Sequence, residues 1–331
     1  MAKIEKLPSG NYRIRVYDSQ TGKRKSFTSK SRNEVKAMAA RYIAGMDDRD
    51  SGRMTVQQAV DRYIANRSSV LSPSTEREYL QSAKRDFDDI GHIDLDTLRS
   101  EDVQAFVNRY AKTHSPKTTR NAYGLLRASI QAFRPNKYIN VTLPQKEVIE
   151  RHIPSDDDIK ALLDSAHGNL RKAILLSAFG TLRRGEICSL EYSDIDGNVI
   201  HVHTDMIRGV DGWVIKEIPK TAASDRYVEY PEKVIKELGI GEGRIVTCAP
   251  GTLENKWISC RDKLGLKCRF HDLRHYAASI MHALGIPDQY IMERGGWSSD
   301  AVLKSVYRNV LDDKKKEFTA RVNSHLDGLL S

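Results

Sequence analysis

Long apolar runs are missing from this sequence. The longest, around Ala173 to Phe179, falls far short of the roughly 20 residues that a membrane-spanning helix needs. The opening stretch, MAKIEKLPSG, lacks the apolar centre of a secretion signal, so a cytoplasmic protein is expected. Cysteine is scarce too. The 4 present, Cys188, Cys248, Cys260 and Cys268, form no CxxC pair and read as reduced thiols used in packing. Cys260 and Cys268 with His271 and His275 fit no common zinc spacing. There is no GxxxxGK loop to cradle a nucleotide and no carboxylate cluster to hold a catalytic metal. Neither metal nor cofactor is therefore expected.

What is present suits a soluble globular chain of two or three domains. It has 331 residues, 40% of them hydrophobic and 29% charged. The net charge of +9 favours a polyanionic partner, nucleic acid or an anionic surface.

Three regions differ in character. In residues 1–50, Tyr12, Ile14 and Val16 alternate with Arg13, Arg15 and Tyr17, which predicts a strand with one apolar and one basic face. Thr21-Gly22 marks a turn, Arg24 to Thr28 a returning strand, and Asn33 to Met46 a helix with Val35, Met38, Ala39 and Tyr42 on one side. Residues 1–46 hold 11 Lys/Arg against 3 Asp/Glu, most of the excess charge. A basic sheet of this size, with Arg13 and Arg15 on its face, fits a DNA groove; a solvated surface is the plainer alternative.

Residues 51–140 read as a four-helix bundle. Thr55 caps a helix carrying Val56, Ala59, Val60, Tyr63 and Ile64, and Ser72-Pro73 starts one carrying Tyr79, Leu80, Ala83 and Phe87 that ends at Gly91. Ser100 opens the third, with Val103, Phe106, Val107 and Tyr110 inside, and Ser115-Pro116 opens the fourth. Lys117 and Arg120 occupy the first turns of that helix, where positive charge opposes the helix dipole unless phosphates approach. They are candidate DNA contacts, with a solvated face as the alternative. Residues 134–154 contain three prolines and read as extended, with the linker proper at 141–154. From 155 to the end a mostly helical domain is expected. Ser155 with three aspartates starts it, a buried helix spans Asn169 to Phe179, and strands lie at Val199–His203, Trp213–Ile218 and Arg226–Tyr230.

Four patterns in this last region carry chemistry. In Gly180-Thr181-Leu182-Arg183-Arg184-Gly185-Glu186, a helix ends at a glycine and an arginine opens the next; Glu186 is placed to hold Arg183, whose planar fork suits a phosphate. Pro219-Lys220-Thr221 sits between two strands, where a lysine can act as a mobile proton donor. His271-Asp272-Leu273-Arg274-His275 puts His271 and Arg274 on one helix face. Gly295-Gly296-Trp297 precedes Val306-Tyr307-Arg308, with Tyr307 near the end of a short helix. Each alone has a structural explanation.

The order Arg183, Lys220, His271-x-x-Arg274, Trp297, Tyr307 behind a basic bundle resembles the tyrosine recombinase family, the phage-type integrases. The resemblance covers nearly the whole chain. It implies a mainly α protein with small antiparallel sheets (α+β): an arm-site DNA-binding domain (1–50, a three-stranded sheet plus helix), a helical core-site DNA-binding domain (51–140) and a catalytic domain (155–331). Arg183 and Arg274 would clamp the scissile phosphate and His271 would add a hydrogen bond. Lys220 would protonate the leaving 5′ oxygen and Tyr307 would attack. Trp297 stands where the family carries His or Trp; its indole N–H can donate but cannot shuttle a proton. Glu186 and His275 would support the site.

The resemblance further implies double-stranded DNA with core and arm-type sites as partner, a homotetramer on DNA and a nucleoid-associated location. It leaves room for a directionality factor or a host DNA-bending protein. The segment with Phe318, Val322, Leu326 and Leu329 reads as an amphipathic helix, docking on a neighbouring protomer by the resemblance or else on its own domain. A type IB topoisomerase-like enzyme, a catalytically silent DNA-binding regulator and a metal nuclease are the competing readings.

Overall fold

A computed structural model describes residues 4–18, 23–43, 53–146, 152–217, 224–299 and 323. Lys220, Tyr307, the amphipathic tail, the Thr21-Gly22 turn and positions 44–46 of the first expected helix lie outside the described residues. The chain divides into two compact units, residues 1–65 with 83–144, and residues 66–82 with 145–331.

The first unit begins with an antiparallel sheet of β1 (Ile4–Lys6), β2 (Tyr12–Asp18) and β3 (Lys23–Ser29), followed by helix α1 (Arg32–Ile43). Pairing sets Ile14 opposite Phe27, and Arg15 opposite Ser26. The period of two thus sends Ile14 and Val16 into a small core with Val35 and Ala39. Met38, grouped with them on one side by the sequence, lies at the surface. A short helix on a small sheet covers only a narrow stripe, and Val35, Ala39 and Tyr42 fill it.

Helices α2 (Val56–Ala65), α3 (Pro73–Arg85), α4 (Ser100–Ala111) and α5 (Pro116–Phe133) follow in the chain; α2, α4 and α5 belong to the first unit, and most of α3 falls in the second. Their starts are capped as local chemistry dictates. Thr55 Oγ1 accepts from Gln58 N at 3.3 Å while Gln58 Oε1 accepts from Thr55 N at 3.0 Å, a reciprocal capping box. Ser115 Oγ accepts from Thr118 N, with Pro116 in the first turn. Two expectations shift. Phe87 is fully buried but sits beyond the end of α3, in the turn closed by Gly91 N donating to Phe87 O. The cap of α4 is Arg99, whose N–H donates to Asp102 Oδ2, and Ser100 is already helical. Residues 134–144 are extended but anchored. Asn140 N donates to Ser100 Oγ, Thr142 N to Gln104 Oε1, and Arg134 pairs with Asp96.

Within the second unit, α6 (Asp156–Ser165) starts at a Ser155–Asp158 capping box. It is followed by the apolar α7 (Gly168–Gly180) and the short α8 (Arg184–Ser189). Strands β4 (Ile195–Asp196), β5 (Val199–Val202) and β8 (Arg226–Glu229) make one antiparallel sheet; β6 (Asp205–Arg208) and β7 (Trp213–Lys216) make a separate hairpin. Sequence reading anticipated β5, β7 and β8 and missed β4 and β6. Helices α9 (Glu232–Leu238), α10 (Pro250–Lys263), α11 (Asp272–Ala283) and α12 (Asp288–Gly295) follow. Helix α7 is the centre of the core: Ala173, Ile174, Leu175 and Leu176 pack with Leu182, Ile200, Val228, Trp257 and Leu273. Phe179, at its end, is partly exposed rather than buried.

Candidate active site

The site gathers where α7 ends, α8 and α11 begin, and α12 ends. Helix α7 closes with Leu182 N donating back to Leu176 O, and Thr181 takes the left-handed conformation (φ 64°) usually given to glycine. Thr181 Oγ1 donates to Arg294 O at 3.0 Å, which fixes that turn to α12. Gly180 is required for a different reason. A Cβ there would lie 1.6 Å from the Tyr230 hydroxyl, which donates to Leu176 O.

Arg183 is the N-cap of α8, just outside its first turn. Its N–H donates to Glu186 Oε2 at 2.8 Å, its Nη1 to Glu186 Oε1 at 2.6 Å, and its Nη2 to Gly296 O at 2.8 Å. Glu186 is 4% exposed and also receives both Nη atoms of Arg226, at 2.9 and 3.2 Å. Burial alone would raise the Glu186 pKa, but Arg226 and then Arg183 override it and hold the carboxylate at about 2.

Arg274, in the first turn of α11, is 1% exposed. Nη1 donates to Thr181 O, whereas Nε and Nη2 have no hydrogen-bond partner among the described residues. Those two atoms form one edge of the planar group, the fork that fits two oxygens of a phosphate. Burial first, and then the charge of Arg183, weigh against the Arg274 cation, a cost that an arriving anion relieves. The Trp297 ring centroid lies 3.9 Å from the guanidinium carbon, so the indole presents its face to Arg274. Gly295 makes this arrangement fit, because a Cβ there would come within 1.9 Å of the Trp297 ring.

His271 stands at the N-cap of α11, 4.9 Å between ring centroids from the buried His275. Asp272 holds the start of that helix by accepting from the Arg269 backbone and guanidinium. Desolvation, then the charge of Arg274, lower the His271 pKa to about 4. At neutral pH the imidazole is uncharged and has one N–H to offer.

Arg183, Glu186, His271, Arg274, His275 and Trp297 are thus brought together. Arg226 and Arg294 were not singled out by sequence reading, which saw Arg226 only as the start of a strand. Their partners are distant in sequence, and the only local signal is a charged residue at a strand position that should be buried. The four candidate DNA contacts differ. Arg15 and Lys117 are exposed, and Arg13 pairs with Glu5 at 2.9 Å. Arg120 donates Nε and Nη2 to Pro144 O, so that edge of its guanidinium holds the extended segment rather than solvent. Among the described residues no group of three or more His, Cys, Asp or Glu could hold a metal ion, and no helix is long and apolar enough to cross a membrane.

Residues 248–314 match the model of the phage integrase family. The chain is 23% identical over 359 positions to a protein of Caldanaerobacter subterraneus subsp. tengcongensis described as tyrosine recombinase XerC-like, covering 91% of each. Over 75 residues it is 35% identical to an integrase of Saccharopolyspora erythraea, covering 22% of this chain and 17% of that one. The solved Tn1549 transposon integrase in complex with transposon right-end DNA matches with a TM-score of 0.65 at 19% identity, over 82% of this chain and 100% of that chain. A lambda integrase tetramer bound to a Holliday junction matches with a TM-score of 0.63 at 17% identity, over 90% and 96%. The fold, mainly α with small antiparallel sheets, is the one these integrases share.

Proposed function

We propose that this chain, which belongs to the tyrosine recombinase family, breaks and rejoins duplex DNA at defined sites through a covalent bond between Tyr307 and a 3′ phosphate. The observation that carries the reading is Arg274. It is a fully buried guanidinium with one edge that has no acceptor among the described residues, beside a second arginine, a neutral imidazole and an indole. Taking a cation out of water is costly, and a site built this way suits an anion with paired oxygens.

The chemistry follows from these groups. A phosphodiester repels nucleophiles, and its transition state spreads charge over the equatorial oxygens. Arg183 and Arg274 meet that charge with donors already fixed by Glu186, Gly296 O and Thr181 O. His271 adds one neutral donor. The Tyr307 oxygen bonds to phosphorus and gives up its proton, and the bond to the 5′ oxygen breaks. Lys220 supplies the proton to that oxygen. The products are a 3′-phosphotyrosyl ester and a 5′ hydroxyl. One ester replaces another, so a 5′ hydroxyl from the exchanging strand reverses the step and no nucleotide cofactor is consumed.

Residues 1–50 would bind arm-type sites and 51–140 core sites, with four copies assembling on two duplexes. Integration or excision of a phage or mobile element is the role this implies. A nicked duplex from the flanks of the encoding element, on which the cut is irreversible, tests the reading. Wild type should become covalently attached to DNA, with the label mapping to the Tyr307 peptide, and Tyr307→Phe should bind DNA without attaching. An adduct on the Phe variant, or none on the wild type, would overturn it. Full activity in chelator would exclude the metal-nuclease alternative, and failure to relax plasmids lacking the site would exclude the topoisomerase.

A further inference from the structure

Arg226 lies 5% exposed at the start of β8, and every nitrogen of its guanidinium is engaged. Nη1 and Nη2 grip the two oxygens of Glu186; Nη1 also reaches Ser224 O at 3.0 Å, and Nε reaches Arg294 O at 2.9 Å. Those acceptors lie on three different chain segments. Glu186 holds Arg183. Ser224 lies four residues beyond Lys220. Arg294 O, which also accepts from Thr181, lies three residues before Trp297.

The charge arithmetic gives Arg226 a second task. Glu186 is a buried carboxylate directly against Arg183. Were Arg183 its sole cation, the pair would be close to neutral and would attract a phosphate weakly. With Arg226 on the other side the trio is net positive, and Arg183 can serve Glu186 and an external anion together.

We propose that Arg226 is a positioning residue for strand cleavage, holding Arg183 through Glu186 and joining the chain beyond Lys220 to the turn that carries Trp297. This rests on the recombinase reading above. Arg226 does not reach the phosphate itself; it sets where the groups that do so stand, and it offsets the Glu186 charge. A lysine in its place retains the charge but lacks the planar fork that makes the four bonds.

The test compares full-length wild type, Arg226→Lys and Arg226→Gln on the nicked duplex. Single-turnover adduct formation is measured at saturating DNA, with DNA affinity and melting temperature alongside. Arg226→Lys should remain folded, bind DNA within about threefold of wild type and cleave roughly tenfold or more slowly, as misplaced catalytic groups do. Arg226→Gln should lose on the order of 10²-fold, and adding Glu186→Gln to it should cost less than the two single losses multiplied, because the unbalanced carboxylate is gone. If Arg226→Gln fails to fold, the lysine variant decides alone. Wild-type cleavage by Arg226→Lys overturns this proposal and leaves the recombinase reading intact. No adduct from the wild-type chain overturns both.

Discussion

Trp297 covers Arg274 with the face of its indole, 3.9 Å from ring centroid to guanidinium carbon. The contact bears on the proposed chemistry because the covered group is the one whose remaining edge has no acceptor among the described residues. A desolvated cation–π contact contributes about 2 kcal/mol. Trp297→Ala should therefore slow adduct formation by roughly 30-fold. Trp297→Phe, which keeps a ring face but no N–H, should recover most of that loss. Single-turnover rates on the nicked duplex decide it. Equal losses in both variants would assign the effect to the indole N–H instead.

Gly295 should tolerate no side chain. Alanine there would drive a methyl group into the Trp297 ring. We expect Gly295→Ala to lower stability by about 1–3 kcal/mol, the usual cost of overpacking, and to reproduce much of the Trp297→Ala rate defect. Urea unfolding and adduct kinetics report the two effects separately.

Glu186 is compressed between two guanidinium groups. Glu186→Ala would leave Arg226 buried without its counter-charge, a loss of about 3–5 kcal/mol that denaturant titration would read. Since the folded carboxylate titrates at about 2, below its ordinary range, its contribution is complete above about pH 4.5 and is lost as pH falls toward 2.

His271 acts on the proton balance in the same direction as Glu186, but in a higher pH window. Its folded pKa is about 4, against about 6.5 for an unperturbed histidine. Between those values the unfolded chain binds a proton that the folded chain refuses, so acidification across this window favours unfolding. Melting temperature should fall from pH 6.5 to 4 with a shallower slope for His271→Gln. DNA binding in the same window should take up a proton in wild type, which calorimetry in buffers of different ionisation enthalpy would detect.

Much of this protein is legible in its sequence where the cause is local. Ser115-Pro116 and Ser155 with Asp158 announce helix starts because a cap involves residues three apart. Alternation in β2 places Ile14 and Val16 inside for the same reason. The grouping of Arg183, His271, Arg274 and Trp297 was legible only as an order of residues, through resemblance. Arg226 was invisible because its partners lie 40 and 68 residues away, and a strand pattern alone cannot tell a buried arginine from a solvated one. Met38 was misplaced because periodicity reports direction but not how wide a face the neighbouring sheet can cover. Arg120 adds a partner that the sequence did not show: one edge of its guanidinium holds the Pro144 carbonyl, 24 residues away.

The Nε–Nη2 edge of Arg274, without an acceptor among the described residues, would recognise an oxygen pair and nothing of the sugar or base attached to it. Inorganic sulfate and phosphate carry the same pair. Each should stabilise the folded chain in storage buffer by mass action, and each should act as a competitive brake on cleavage. The choice of salt in any assay of this protein therefore sets the apparent rate before a single residue is altered.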